Sequence, residues 1–454
     1  MDNQINSKKL VDRLKQLSTK NSINKWDIGS SSSSDSNVQV DNGEPKQLKS
    51  SQRSVLTIRV WNDEGLVGTT STSDITDSGL QRALMGAKEA SNYGNINEIP
   101  EFSSMAKENI KEFNKPFYEM IGITKLLDKL LKAESKLLNS NDHIKSIPYN
   151  GLSETIFERT YANSDGAFRY QKGSQSSIYL YARAEQTGRK PRSSGSVKVG
   201  YGSDLLDIEG CINEAKKLTL SHLNYRPINT GKYLVCFTPK AFLELLGSFS
   251  NIFNARSIID GLSLSNKNSI GTTISVNNLN IFDNGLHSEN IGATPFDGEG
   301  TPTQNICLLK NGNINSFIHS ELTARKFGAK PTGHAGLASK ASVGLDWLII
   351  ENSDYTKCKQ CSLNKDNYKD QFVLIESLSA LHAGVKPSQG SFSLPFDGWL
   401  INEGEKVSVE SATIAGDIRD ILINIVKIES IQEITPQGIC PHIWISDISI
   451  TGGQ

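Results

Sequence analysis

The strongest constraint on the fold is the junction at residues 233–252, where an apolar run, Tyr233-Leu234-Val235-Cys236-Phe237, meets Thr238-Pro239 and then a helical stripe. A threonine followed by proline is a strong helix start: the hydroxyl accepts an orphan amide hydrogen, and proline at the first helical position sacrifices no bond. Phe242, Leu245, Leu246, Phe249 and Ile252 then recur at helical spacing, so the segment predicts a buried strand leading directly into a helix that packs on a core. The stretch before it, Arg226 to Gly231, has turn chemistry and predicts a domain boundary. At 454 residues the chain exceeds the size of one ordinary core, and two domains are expected.

The remaining pattern predicts an α+β protein. Leu10, Leu14 and Leu17 predict an initial helix, and the Ser30–Ser36 stretch reads as a flexible linker, giving an appendage over residues 1–53. Val55 to Trp61, the turn at Asn62-Asp63-Glu64-Gly65 and Leu66 to Thr69 predict a hairpin. Helices follow at about Leu80–Ala90 and Ile123–Leu138. Residues 153–185 read as a second pair of strands around Asn163-Ser164-Asp165-Gly166, Gln186–Ser196 as a solvated loop, and 204–220 as a helix. Together these make a mixed α/β domain over 54–228. A larger β-rich domain, 229–454, contains the Asn311-Gly312 hairpin, apolar strands at Trp347–Ile350 and Phe372–Ile375, a helix over Ile418–Ile425, and a terminal strand interrupted at Asp447.

Charge narrows the function classes. Lysine plus arginine total 48 against 49 acidic residues, a net charge of −1, so no global field draws nucleic acid or anionic membrane. Neither a basic–apolar leader nor a bilayer-length apolar run is present, which makes a cytoplasmic protein the expectation. Six cysteines are too few and scattered for a disulfide framework, and Cys358/Cys361 read as two thiols in a polar loop. Of seven histidines no two stand four apart, so a helical two-histidine zinc site is excluded. No nucleophile-elbow pattern occurs.

The most distinctive segment is Pro295-Phe296-Asp297-Gly298-Glu299-Gly300-Thr301-Pro302-Thr303-Gln304. Its glycines allow close backbone approach, as where a peptide lies against a loop, whereas composition alone favours a tight turn with solvated acids. Read in order with the Asn311-Gly312 hairpin, Ala324-Arg325-Lys326-Phe327-Gly328, Gly333-His334-Ala335-Gly336, Thr413-Ile414-Ala415-Gly416-Asp417 and the ending Ile448-Ser449-Ile450-Thr451-Gly452, this segment resembles the landmarks of the TldD/PmbA metallopeptidase family, on its PmbA (TldE) branch, also described as modulating DNA gyrase. The likeness covers nearly the whole chain and is densest after residue 231.

That resemblance implies a β-rich carboxyl domain walling a peptide groove, lined by Phe296, Asp297, Gly298, Glu299, Gly300 and Arg325, in a zinc metallopeptidase acting on small or unfolded polypeptides. The family's catalytic branch carries a helix with two histidines and a glutamate. Here the matching helix reads Ala241-Phe242-Leu243-Glu244-Leu245-Leu246-Gly247-Ser248-Phe249, with Glu244 but no imidazole, so no catalytic or metal-binding residue is assigned. Zinc is expected in a TldD-type catalytic partner, and self-association into a homodimer is left open. The alternatives are an autonomous metallopeptidase using distant ligands such as His287, His319 and Glu299, and a gyrase-binding protein. Residues 387–398 depart from the family's expected glycine-rich, basic stretch.

Overall fold

The computed structural model describes residues 2–110, 113–338, 340–354 and 371–453. Cys358 and Cys361 lie outside them.

The amino-terminal half is built on one antiparallel sheet of six strands, β1 (Lys25–Asp41), β2 (Glu44–Trp61), β3 (Val67–Thr72), β4 (Ile144–Asn163), β5 (Phe168–Ala184) and β6 (Arg192–Gly200), in the order β3-β2-β1-β4-β5-β6. Both expected hairpins, β2/β3 and β4/β5, are present. The serine run is not a linker. Ser30 to Ser36 pair with Leu56–Ser50 on one side and Thr160–Glu154 on the other, which makes β1 the strand that joins the two hairpins. Serine carries no period-2 hydrophobic signal, but its backbone pairs as well as any other once neighbours supply partners. The segment expected as a solvated loop likewise contributes β6 from Arg192 onward.

Helices α1 (Asp2–Lys20), α2 (Asp77–Ser91), α3 (Ile123–Leu138) and α4 (Ile208–Ser221) cover a single face of this sheet. Leu14, Leu80, Leu84 and Ala87 close over Ile28, Leu56, Ile58 and Val60. Leu126, Leu130, Leu137, Ile212 and Ala215 close over Val38, Leu152, Ile178 and Leu180. Because strand side chains alternate, Asp27, Arg59 and Tyr161 fall on the opposite face, in register through Asp27↔Arg59 and Gly29↔Tyr161.

The carboxyl-terminal half is a mixed sheet of thirteen strands among the described residues. Its centre runs from the antiparallel pair β8 (Leu279–Asn284) and β9 (Asn305–Lys310) through β10 (Leu348–Asn352), β16 (Gly438–Thr451), β7 (Gly231–Phe237) and β11 (Phe372–Leu378) to β12 (Ser391–Asn402) and β13 (Glu405–Val409). β14 (Ala412–Asp417) and β15 (Ile425–Thr435) pair outside this path. The buried run Val235-Cys236-Phe237 feeds α5 (Pro239–Ser248) as expected, with the Thr238 hydroxyl accepting from the Ala241 amide. The Asn311-Gly312 turn has φ of 47° and 75°, as a tight hairpin needs, and Asp447 sits at φ 58° where the β16/β7 register slips. Residues 391–398 of the stretch that departs from the family pattern belong to a full strand of the sheet, β12. No helix among the described residues is long and apolar enough to cross a membrane.

Candidate functional site

The glycine-rich loop lies where the two sheets meet. Asp297 shapes it: one carboxylate oxygen accepts from the amides of Glu299 (2.8 Å) and Thr301 (3.0 Å), and the other from Ala335 (2.9 Å). The Asp297 amide donates to the Thr301 carbonyl at 2.9 Å, which closes a tight turn. Both glycines are required by contact. A Cβ on Gly298 would stand 2.4 Å from the Leu337 nitrogen, and one on Gly300, at φ +75°, would stand 2.3 Å from the Tyr161 ring. The close approach expected of a bound peptide is made by the chain itself. Phe296, Asp297 and Glu299 are buried, so neither a solvated turn nor an open groove wall describes them.

Glu299 reaches across the junction. One of its oxygens accepts from the Glu321 amide at the start of α6 (Glu321–Phe327), at 2.8 Å, and the other lies 3.6 Å from Arg59. Arg59 in turn grips Asp27 through Nε at 2.9 Å and Nη2 at 2.5 Å, and donates to the Ala338 carbonyl at 3.2 Å. The Tyr161 hydroxyl donates to Asp27 at 3.2 Å. All four side chains are buried, so each charge depends on these partners. Burial pushes Glu299 up to about 8 despite the pull of Arg59, with Asp297 adding repulsion. Asp297 is also raised by burial, against three backbone donors and His334.

A second buried chain adjoins the loop. His334 Nδ1 is 2.9 Å from the Thr332 hydroxyl, which bridges to the backbone of His319. His334 Nε2 lies 3.2 Å from Asp283, at ion-pair distance but without hydrogen-bond alignment. Asp283 is held by the amides of Asp346 (2.9 Å) and Trp347 (2.8 Å). Burial opposes a charge on His334, but Asp283, Asp346 and Asp297 outweigh it and hold the imidazole above its ordinary range. His319 goes the other way, to about 4, through burial and the neighbouring His334.

Arg325 does not join this cluster. It is half exposed, pairs with Glu321 one turn back at 2.8 Å and donates to the Ile99 carbonyl at 2.6 Å, so its fork is occupied within the chain. The distant ligand set also fails to assemble. His287 stacks on Trp347, His319 is held among threonines, and Glu299 faces Arg59. On α5, Glu244 carries a buried oxygen without a hydrogen-bond partner and is raised by burial, while Ala241, Phe242, Leu243, Leu245 and Leu246 are buried hydrocarbon. One carboxylate among alkyl and aromatic groups does not fit a zinc site, which takes three or four nitrogen, sulfur or oxygen ligands. Among the described residues no three His, Cys, Asp or Glu side chains are grouped to hold a metal.

Sequence reasoning missed Asp27, Arg59 and Asp283. A signal existed for the first two: each is a charge inside an apolar strand run, Trp26-Asp27-Ile28 and Ile58-Arg59-Val60. A strand with one buried face normally puts charges outward, and these point into the other half of the molecule.

Known proteins share this architecture. Three family models match in order: PmbA/TldA metallopeptidase domain 1 at residues 26–91, the central domain at 116–223 and the C-terminal domain at 230–452. The first two contribute strands to the single amino-terminal sheet. Metalloprotease PmbA of Escherichia coli O157:H7 is 21% identical over 416 residues, 90% of this chain and 88% of that protein. A Metalloprotease PmbA homolog of Haemophilus influenzae is 24% identical over 379 residues, covering 80% and 78%. Among solved structures, a Thermotoga maritima protein named as a candidate modulator of a DNA gyrase superposes with a TM-score of 0.82 at 23% identity, covering 98% of this chain and 100% of that one. TldE from Thermococcus kodakarensis gives 0.79 at 19% identity, covering 98% and 100%.

Proposed function

This chain belongs to the PmbA/TldD metallopeptidase family, and from that premise we propose that it is the PmbA/TldE-type subunit of a cytoplasmic zinc metallopeptidase, completing a compartment in which a TldD-type partner holds the metal and cleaves small or unfolded polypeptides. The observation that carries this reading is the composition of α5. Zinc-dependent hydrolysis of this type needs imidazoles one turn apart and a carboxylate beside the bound water. α5 offers Glu244 alone, in hydrocarbon surroundings. The role left to this chain is to position peptide and to shape the partner's compartment, with the β-rich half supplying the groove wall. The buried loop Phe296–Gly300 then acts by fixing the two halves of the subunit against each other, since its acids contact Arg59 and the α6 amide rather than solvent.

Zinc measured per chain by elemental analysis, on the protein alone and with a TldD-type partner, together with cleavage of an unstructured peptide, tests the proposal. A metal-free, inactive single chain and a zinc-bearing, active pair are expected. One zinc per lone chain together with cleavage would overturn it.

A further inference from the structure

A cavity of about 500 Å³ lies between the two halves of the chain, bordering the buried His334–Asp283 chain at Asp346 and Trp347, and falls within the ~300–1,000 Å³ typical of ligand sites. One wall is β6, the last strand of the amino-terminal sheet, which pairs only with β5 among the described residues and leaves its other edge open. The opposite wall comes from the carboxyl-terminal half, through the loop carrying Glu289 and Ile291, from Asp346, and from the end of β15 at Ile434. Two features give this space a chemical character. Its apolar side chains include Val197, 42% exposed, and Ile434, 60% exposed, which line the gap instead of packing in a core. Its charges are unbalanced. Lys198 is drawn off to Glu214 at 2.6 Å, whereas neither Asp346 nor Glu289 forms a salt bridge among the described residues, Arg159 and His334 acting on Asp346 only from a distance.

The geometry points to a binding site for an extended polypeptide segment that carries a primary ammonium, either a free amino terminus or a lysine side chain. An open strand edge offers backbone hydrogen bonds to an added strand, Val197 and Ile434 take its apolar side chains, and Asp346 with Glu289 takes its positive charge. The site rests on the proposed function only in taking polypeptide as the ligand class. It needs neither zinc nor partner, so it is tested on the lone chain.

Three versions of one short, unstructured, apolar peptide, labelled at the carboxyl end, serve as probes: free amino terminus, acetylated amino terminus, and acetylated with one internal lysine. Binding is read by fluorescence anisotropy at about pH 7, where a terminal amine keeps its proton and Asp346, raised by burial to about 6, is mostly ionised. The free-terminus or the lysine peptide, or both, bind about fivefold tighter than the acetylated neutral one, and the preference shrinks as salt is raised. Which of the two shows the preference identifies the source of the ammonium. Asp346→Asn combined with Glu289→Gln removes the preference, and Ile434→Ser weakens all three peptides alike. Equal affinity for the three, a preference that survives the double variant, or an Ile434→Ser protein that binds as the wild type does would each overturn the assignment. Failure of this site with an active zinc-bearing pair leaves the proposed function standing, and the reverse holds equally.

Discussion

Glu299→Gln separates charge from shape at the junction of the two halves. The glutamate is fully buried and titrates at about 8 rather than at the ordinary 4.5, with burial as the main cause. Between those values the folded state holds a proton that the unfolded chain releases. The stabilisation from this group is therefore complete below pH 4.5 and is lost as pH rises through 8. At about 1.4 kcal/mol per tenfold change in proton affinity, the loss by pH 9 amounts to at most about 5 kcal/mol. Glutamine keeps the shape, and its carbonyl still accepts from the Glu321 amide, but it cannot ionise. The assay is urea unfolding of wild type and variant from about pH 4 to pH 9. Near pH 4, where the carboxyl is protonated in both the folded and the unfolded wild type, the two should differ by less than about 1 kcal/mol. From about pH 5 the variant should become the more stable, with a difference that grows by about 1.4 kcal/mol per pH unit up to about pH 8 and is level above it. Parallel stability curves, or a wild type that gains on the variant as pH rises, would refute the claim that Glu299 is buried without adequate charge compensation from Arg59.

Three further outcomes rest on local geometry. Gly300→Ala places a Cβ 2.3 Å from the Tyr161 ring at φ +75°, so a loss of about 2–4 kcal/mol is expected in the same unfolding assay. Thr238→Ala removes the hydroxyl that caps α5 and donates to the Glu376 carbonyl at 3.0 Å, and should cost about 1 kcal/mol, read as a lowered midpoint. Asp447→Gly relieves a left-handed residue at the β16 irregularity, where no side-chain bond holds it among the described contacts, and should raise the midpoint by up to about 1 kcal/mol.

Legibility in the sequence follows the range of the interaction. The Thr238-Pro239 start of α5, the Asn311-Gly312 turn, the span of α3 and the interruption at Asp447 are set by residues within a few positions of each other, and the local pattern predicts each of them. Ser30–Ser36 defeats that logic because nothing local declares it a strand; its hydrogen-bond partners are residues 50–56 and 154–160. The absence of paired imidazoles on α5 is equally plain in the sequence, since a helix turn is a local spacing. The loop at 296–300 marks itself by its glycines, but what those glycines approach, Tyr161 and Leu337, is distant along the chain.

Local chemistry alone thus determined the helix starts, the tight turns, the alternating strands and the missing ligands of α5, because capping, turn geometry and side-chain periodicity act over one or two turns of chain. Only the tertiary structure decided that Asp27, Arg59, Tyr161 and Glu299 share one dry junction, and that β6 and β15 border a common open space. Burial is a property of the assembled molecule: a carboxylate acquires its altered proton affinity from groups that the chain brings to it only on folding.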